Sequence, residues 1–361
     1  MVRVREELKD LQPYRPGKPV DEVKRELGLR HVVKLASNEN PFGPSRLALK
    51  SLRKNLREIH RYPDGGCYYL RQRLASEHAI PEDRFIFGNG SDELIVLATR
   101  ALLEKGDTVI IAEPTFLIYR LASKVAGLKI RSVPLKNLRY DLEAMADAVD
   151  GNTRMIFVAN PDNPTGTYAN KAEVERFIER VPKDVILFFD EAYYEYAVGG
   201  DYPDTLAYQN NGNIITTRTF SKIYGLAGLR IGYGVSTPDI IELMNKVREP
   251  FNVNSLAQAA ALAALDDKAF VNRVRRLTDK GKNQLYEGFK ELGINYIPSA
   301  TNFILVDLGD KSEYVYNELM KRGVITRYMA AWGLKNYLRV TVGTDLENRK
   351  LLQRLRQVLA S

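Results

Sequence analysis

The sequence predicts an α/β fold: a large domain on a mostly parallel sheet, followed by a smaller α+β domain. Three observations carry this. Through the middle of the chain, short β-rich runs alternate with helical patterns. Those runs, RMIFVAN and VILFFD among them, are apolar throughout rather than alternating, as strands buried on both faces are. After about Asn254 the character changes, and long helical segments give way to three short strand-like runs and a closing helix.

The elements follow in order. TVIIAEP reads as a strand, FLIYRLASKVAG as a helix, KIRSVPL as a strand, DLEAMADAV as a helix and RMIFVAN as a strand. The next helix has a defined start: Asn170 is its N-cap and Glu173 stands at the capping-box position. Its apolar residues Val174, Phe177, Ile178 and Val181 fall at i, i+3, i+4 and i+7. VILFFD and NIITTRTF follow as strands. Beyond Asn254 come two helical segments, NSLAQAAALAALDDKAFVNRVRRL and DKGKNQLYEGFKELG, then NFILVDL, GVITRYM and YLRVTVG as strands. The closing helix, DLENRKLLQRLRQVLA, has Thr344 and Glu347 as a capping box. LQPYRPGKPV reads as an irregular arm. The expected division is an arm over 1–40, a large domain over 41–255 and a small domain over 256–361 that takes in part of the arm.

Composition narrows the function classes. The 361 residues suffice for a sizeable core. The single cysteine, Cys67, has no internal partner, which points to a reducing compartment, the cytoplasm. The first residues, MVRVREELKDLQ, are charged, so no signal peptide is expected. No apolar run approaches the roughly 20 residues of a membrane span. The net charge of +8 is spread among acidic residues, as in RVRRLTDKGKNQLYEGFKE. That pattern reads as solvated helix faces with a general attraction for small anions, not as a nucleic-acid or membrane surface. His31, His60 and His78 lack metal-ligand spacing, and no metal is expected.

In parallel α/β sheets ligands gather at the carboxyl ends of strands, and four such ends here carry unusual residues. FIFGNGSDE ends in Gly88–Gly90 and opens a helix at Ser91. It is not a dinucleotide fingerprint, because Glu93 occupies the place of the third glycine. It is either a tight turn or a helix start offering free N–H groups to a phosphate. Asp92 and Glu93 oppose such an anion, so a cation is needed nearby, and Arg230 is the candidate. No Walker motif is present, which argues against a nucleoside triphosphate. RMIFVANPDNPTG ends in a loop carrying Asn160 and Asn163, and the Asn163–Pro164 bond is a candidate for a cis peptide. VILFFDEAYYEY breaks an apolar run with Asp190, Glu191 and Tyr193; alone, Asp190 reads first as a cap or half of a structural ion pair. NIITTRTFSK ends on Ser221 and Lys222. Desolvation and neighbouring cations can free a lysine amine there as a nucleophile. The glycines after it are expected to keep the backbone close and leave room for a flat ring. A lysine, a buried carboxylate, a hydroxyl donor and a phosphate cup are what pyridoxal phosphate requires.

NPDNPTG, DEAYYEY and TFSKIYGLAGLRIGYG resemble the signature blocks of fold-type I aminotransferases. SNENPFGPS, RYPDGG, GNGSDELI, EPTF and YLRVTVGT narrow the resemblance to the histidinol-phosphate branch of the class-II pyridoxal-phosphate-dependent family. The matching blocks run from Tyr14 to Gly343. The resemblance implies a seven-stranded, mostly parallel sheet between helices, and pyridoxal 5′-phosphate as cofactor. It implies Lys222 as the lysine that holds the cofactor and moves a proton, and Asp190 as the partner of the pyridine nitrogen. Tyr193 and Asn163 would bond the ring oxygen, and Phe116 would stack on the ring. Ser91, Asp92, Thr219, Ser221 and Arg230 would form the phosphate cup. Tyr62 would reach the phosphate of a neighbouring subunit, which implies a homodimer with shared sites. Arg327 and Arg339, with Tyr14 and Asn40, would bind the substrate's anionic end; guanidinium suits both phosphate and carboxylate. Without the resemblance the two arginines read as surface salt bridges. The expected reaction is transamination of L-histidinol phosphate with 2-oxoglutarate, in L-histidine biosynthesis. Two relatives of the scaffold stand as alternatives: an aromatic amino-acid aminotransferase and a threonine-phosphate decarboxylase.

Overall fold

The computed structural model describes residues 5–9, 11, 13 and 17–360. Seven strands form the large sheet, in the order Phe85–Gly88, Gly232–Val235, Ile214–Thr219, Ile186–Asp190, Thr153–Ala159, Thr108–Glu113 and Lys129–Pro134. All neighbours are parallel except the two pairings made by Gly232–Val235. The sheet explains the uniformly apolar runs. Phe157 and Phe188 join the core on one face, with Leu94 and Met244 from helices; Ile156 and Phe189 join the other, with Val174 and Phe177. Both faces are covered, so the runs at 186–189 and 155–159 are apolar at both parities.

The smaller unit is a four-stranded antiparallel sheet, ordered Arg327–Tyr328, Tyr337–Thr341, Phe303–Asp307 and Asn295–Ile297. Leu285 and Phe289 of helix Lys268–Glu291, and Leu351 and Leu355 of helix Asp345–Leu359, pack with its Ile304 and Val340. Val33–Lys34 pairs in parallel with Val324–Ile325, so residues from the start of the chain join this unit. Leu35 enters its core.

Both capping boxes form, Asn170 with Glu173 and Thr344 with Glu347. The long helical stretch divides elsewhere than the pattern suggested. One helix runs Ser255–Leu265 and the next Lys268–Glu291 without interruption, because Asp267 caps the second by accepting from the Phe270 N–H. The alanine-rich face of the first, with Ala257, Ala260, Ala261 and Ala264, lies in one core with Phe85 and Tyr233 of the large sheet. The cis peptides are Glu113–Pro114 and Asn160–Pro161, not the bond before Pro164.

Strand Gly232–Val235 links the fold to the site. It pairs Gly232 with Gly88 on one side and with Thr219 on the other. A Cβ at Gly232 would lie 2.7 Å from the Ser91 nitrogen and 2.9 Å from the Arg218 carbonyl oxygen. Both are backbone atoms and neither can yield without moving the sheet or the helix that starts at Ser91. Gly232→Ala is therefore expected to destabilise the protein by about 1–3 kcal/mol. A chemical melt checks this; a parent midpoint would refute it.

Candidate active site

The carboxyl ends of the central strands and the small sheet's edge enclose a cavity of about 320 Å³. Ser91, Asp92, Phe116, Asn163, Asp190 and Tyr193 line it, as do Thr219, Ser221, Lys222, Arg230, Arg327 and Arg339.

Asp190 ends its strand and is only 5 % exposed. Tyr119 Oη donates to its Oδ2 at 2.8 Å, and the Ala192 N–H donates to Oδ1 at 3.2 Å. Burial pushes the carboxyl up to about 6, against the pull of the Tyr119 hydrogen bond. Tyr119 stacks on Phe157 at 4.9 Å and meets Phe116 edge-on at 5.7 Å, so the aromatic wall and the carboxylate are positioned together. Lys222 Nζ lies 5.4 Å from the Tyr193 ring centroid. Tyr193 Oη accepts from Asn38 Nδ2 at 2.8 Å.

The anion end is built from a helix start, two hydroxyls and one guanidinium. The helix Ser91–Leu102 follows Gly90, at φ 83°, and its first N–H groups have no intrahelical acceptor. Thr219 Oγ1 is 3.0 Å from Ser221 Oγ, and the Ser221 N–H donates to Thr219 Oγ1 at 3.1 Å. Arg230 Nη1 lies 3.4 Å from Ser221 Oγ, and its Nη2 meets Asp92 Oδ2 at 3.3 Å. The expected opposition of Asp92 is thus met by Arg230. Glu93 is engaged elsewhere: its Oε2 accepts from the Asn89 N–H and from Asn252 Nδ2, both at 2.6 Å.

Among the glycines after Lys222, Gly225 and Gly232 serve close backbone approach, whereas a Cβ on Gly228 would meet open space. A Cβ on Gly225, at φ +70°, would lie 2.8 Å from the Gly43 carbonyl carbon and 3.0 Å from Pro44 Cα. The segment carrying Lys222 is thereby seated against the loop at Gly43–Pro44.

Arg327 and Arg339 are cross-strand partners, which puts both side chains on one face of the small sheet. Arg339 Nη1 donates to Asn163 Oδ1 at 2.5 Å and Nη2 to the Ala36 carbonyl at 3.0 Å. Asn163 therefore spends its carbonyl on Arg339 and has its N–H groups to give. Behind the site, Arg218 is 2 % exposed and donates to Glu191 Oε2 at 2.9 and 2.7 Å and to Asp204 Oδ1 at 2.6 Å. Arg218 and Glu191 are the sequence neighbours of Thr219 and Asp190.

Three expected residues stand apart. Asn40 does not line the cavity: its Nδ2 donates to the Ile223 carbonyl at 2.7 Å and its Oδ1 accepts from the Phe42 N–H at 2.9 Å, which staples the loop. Tyr62 is 84 % exposed and stacks on Phe251 at 4.9 Å, away from this cavity. Tyr14 lies outside the described residues. Sequence reading passed over Asn38, Tyr119 and Trp332. Tyr119 was within reach, since it follows Phe116 by three residues at a helix start and so shares its face.

The donor set fits a flat, phosphorylated heteroaromatic ring: a carboxylate for a ring nitrogen, an aromatic wall, a lysine, and a cluster of N–H, hydroxyl and guanidinium donors for the phosphate. Fold and site together define an α/β enzyme of the fold-type I kind. The chain belongs to the aminotransferase class I and II family, whose sequence profile matches residues 30–355. It is 47 % identical over 360 residues to a histidinol-phosphate aminotransferase of Moorella thermoacetica, covering 99 % of this chain and 93 % of that one. It is 45 % identical to histidinol-phosphate aminotransferase 2 of Carboxydothermus hydrogenoformans, with 99 % of each chain covered. A crystal structure of histidinol-phosphate aminotransferase from Sinorhizobium meliloti, in complex with pyridoxal-5′-phosphate, superposes with TM-score 0.92 at 29 % identity, covering 100 % of this chain and 98 % of that one.

The buried carboxylate carries a stability signature. Its pKa is raised from the ordinary 3.8 to about 6, so folding favours the protonated form. That contribution is present at low pH and lost as pH rises through about 6. Without ligand, Asp190→Asn is expected to stabilise the protein at pH 8 by on the order of 2–3 kcal/mol, a gain that vanishes by about pH 4. Thermal melts of the two ligand-free proteins across that range test it; coincident melts at pH 8 would contradict it.

Proposed function

We propose that this chain transfers an amino group between L-histidinol phosphate and 2-oxoglutarate, giving imidazole-acetol phosphate and L-glutamate reversibly, with pyridoxal 5′-phosphate as cofactor. The place of the reaction is L-histidine biosynthesis in the cytoplasm. One observation carries the substrate assignment: Arg327 and Arg339, in register across two strands, line the same cavity as Lys222. The names of the full-length relatives at 45–47 % identity support it.

Bound in the cavity, pyridoxal phosphate supplies an electron sink for the pair of electrons left when a proton leaves the substrate's α-carbon. The chain's residues do the rest. Lys222 holds the cofactor through its amine and, once released, carries the proton to and from that carbon. Asp190 keeps the pyridine nitrogen protonated by its negative charge. Tyr193 and the N–H groups of Asn163 hold the ring oxygen, and Phe116 covers a ring face. The N-terminus at Ser91–Asp92, Thr219, Ser221 and Arg230 hold the phosphate. Arg327 and Arg339 bind a phosphate monoester in one half-reaction and a carboxylate in the other, since the guanidinium fork matches either. We place Tyr62 at the cofactor phosphate of a second copy of the chain. Its 84 % exposure and its stack on Phe251, itself 46 % exposed, support a partner surface there.

The test is single-turnover spectroscopy. The pyridoxal-phosphate enzyme is mixed separately with L-histidinol phosphate, L-phenylalanine and threonine phosphate, and conversion of the cofactor to its amine form is followed. Fast conversion with L-histidinol phosphate alone is expected. Faster conversion with phenylalanine would transfer the protein to aromatic transamination, and carbon dioxide release from threonine phosphate would transfer it to decarboxylation. Lys222→Ala is expected to show no steady turnover, and near-parent turnover would refute its role. Arg339→Gln is expected to raise KM for both substrates by tenfold or more, from the loss of charge-assisted bonds worth about 1.5–3 kcal/mol; unchanged KM for both would remove Arg339 from the site.

A further inference from the structure

We propose that Trp332 is a positioning residue that sets the aim of Arg327 and Arg339, and through them the affinity for a substrate's anionic end. The inference rests on the reading of those two arginines given above.

Two like charges directly opposite each other across an antiparallel pair repel, and Arg327 and Arg339 are such a pair. The turn between their strands supplies an aromatic face to both. It runs through Ala330–Trp332 and closes at Gly333, at φ 77°. The Arg327 guanidinium carbon lies 5.1 Å from the Trp332 ring centroid and that of Arg339 lies 5.9 Å from it. Arg339 also lies 5.3 Å from the Phe303 ring. One indole thus meets both cations, within the range where a ring face attracts a guanidinium.

The indole is used for its face. Trp332 is 5 % exposed and its Nε1 has no hydrogen-bond partner among the described residues, although a buried indole N–H ordinarily finds one. A phenyl or aliphatic side chain would fill space there without that penalty. The ring is also anchored across the two units. It clusters with Leu305 and Met329 of the small unit, and Leu117, next to Phe116, packs against that cluster.

Trp332 is the only tryptophan of the chain, so emission excited selectively in indole reports this residue. In the pyridoxal-phosphate enzyme, titration with inorganic phosphate is expected to change that emission saturably, and Arg339→Gln is expected to abolish the response. Kinetically, Trp332→Leu is expected to raise KM for L-histidinol phosphate and 2-oxoglutarate about tenfold, with kcat within about twofold of the parent and the cofactor's absorbance unchanged. Trp332→Phe, which keeps a ring face, is expected to recover most of the loss. Parent KM values in Trp332→Leu, where Arg339→Gln raises them, would overturn the proposal and leave the proposed function standing. Parent KM values in both variants would overturn the arginine reading and this proposal together. Should Trp332→Leu fail to fold, the emission titration of the parent decides: an unchanging signal at saturating phosphate would overturn the proposal.

Discussion

A parallel sheet covered on both faces offers solvent only its ends, and the reactive side chains of this protein are placed by that constraint. Phe157, Phe188, Ile156 and Phe189 are fully buried against helices on opposite faces. Several of the residues that line the cavity accordingly come from the last residue of a strand or from the chain just beyond it. Asp190 and Thr219 are such last residues, and Ser91, Asn163 and Lys222 lie just beyond. Parallel pairing brings the ends at Ala159, Asp190 and Thr219 to one edge, and the two antiparallel pairings of Gly232–Val235 bring the Gly88 end there too. The buried Arg218–Glu191 pair then ties two of them together. It sits one residue from Thr219 on one strand and one residue from Asp190 on the next, and the Glu191 N–H donates to the Thr217 carbonyl at 2.9 Å. A pair taken out of water this completely contributes little net stability, but it ties the strand end at Asp190 to the strand end at Thr219.

The electrostatics of the cavity follow from the same placement. Asp190 has its affinity for a proton raised by burial, and a protonated ring nitrogen relieves the penalty of keeping it ionised. Among the described residues, four cationic side chains line the cavity: Lys222, Arg230, Arg327 and Arg339. Arg230 is held beside Ser221 and Asp92, and Arg339 beside Asn163 and the Ala36 carbonyl. The cations thus fall into two groups, one at the large sheet and one at the small sheet.

Much of this was legible in the sequence because it depends on local rules. Strand runs, helix caps at Asn170 and Thr344, and the helix start at Ser91 are read from neighbouring residues alone. What escaped depends on tertiary geometry. Whether the helical stretch beyond Asn254 divides at Asp267 turns on one side-chain cap. Asn38 and Asn40 are chemically alike, and only the fold turns one toward Tyr193 and the other onto the backbone. The glycines after Lys222 were legible as special, but not that Gly225 admits another loop's backbone. Trp332 carries no motif of its own; its significance comes from the strand register that sets Arg327 opposite Arg339.

Lys222, three residues beyond the buried strand Ile214–Thr219 and in one cavity with Asp190 and Ser91, is our proposed attachment point for the cofactor. Borohydride reduction of the pyridoxal-phosphate enzyme, followed by peptide mass mapping, reads that bond. The phosphopyridoxyl mass is expected on Lys222 and on no other lysine. Its appearance elsewhere, or its absence from the Lys222 peptide of an active enzyme, would overturn the assignment.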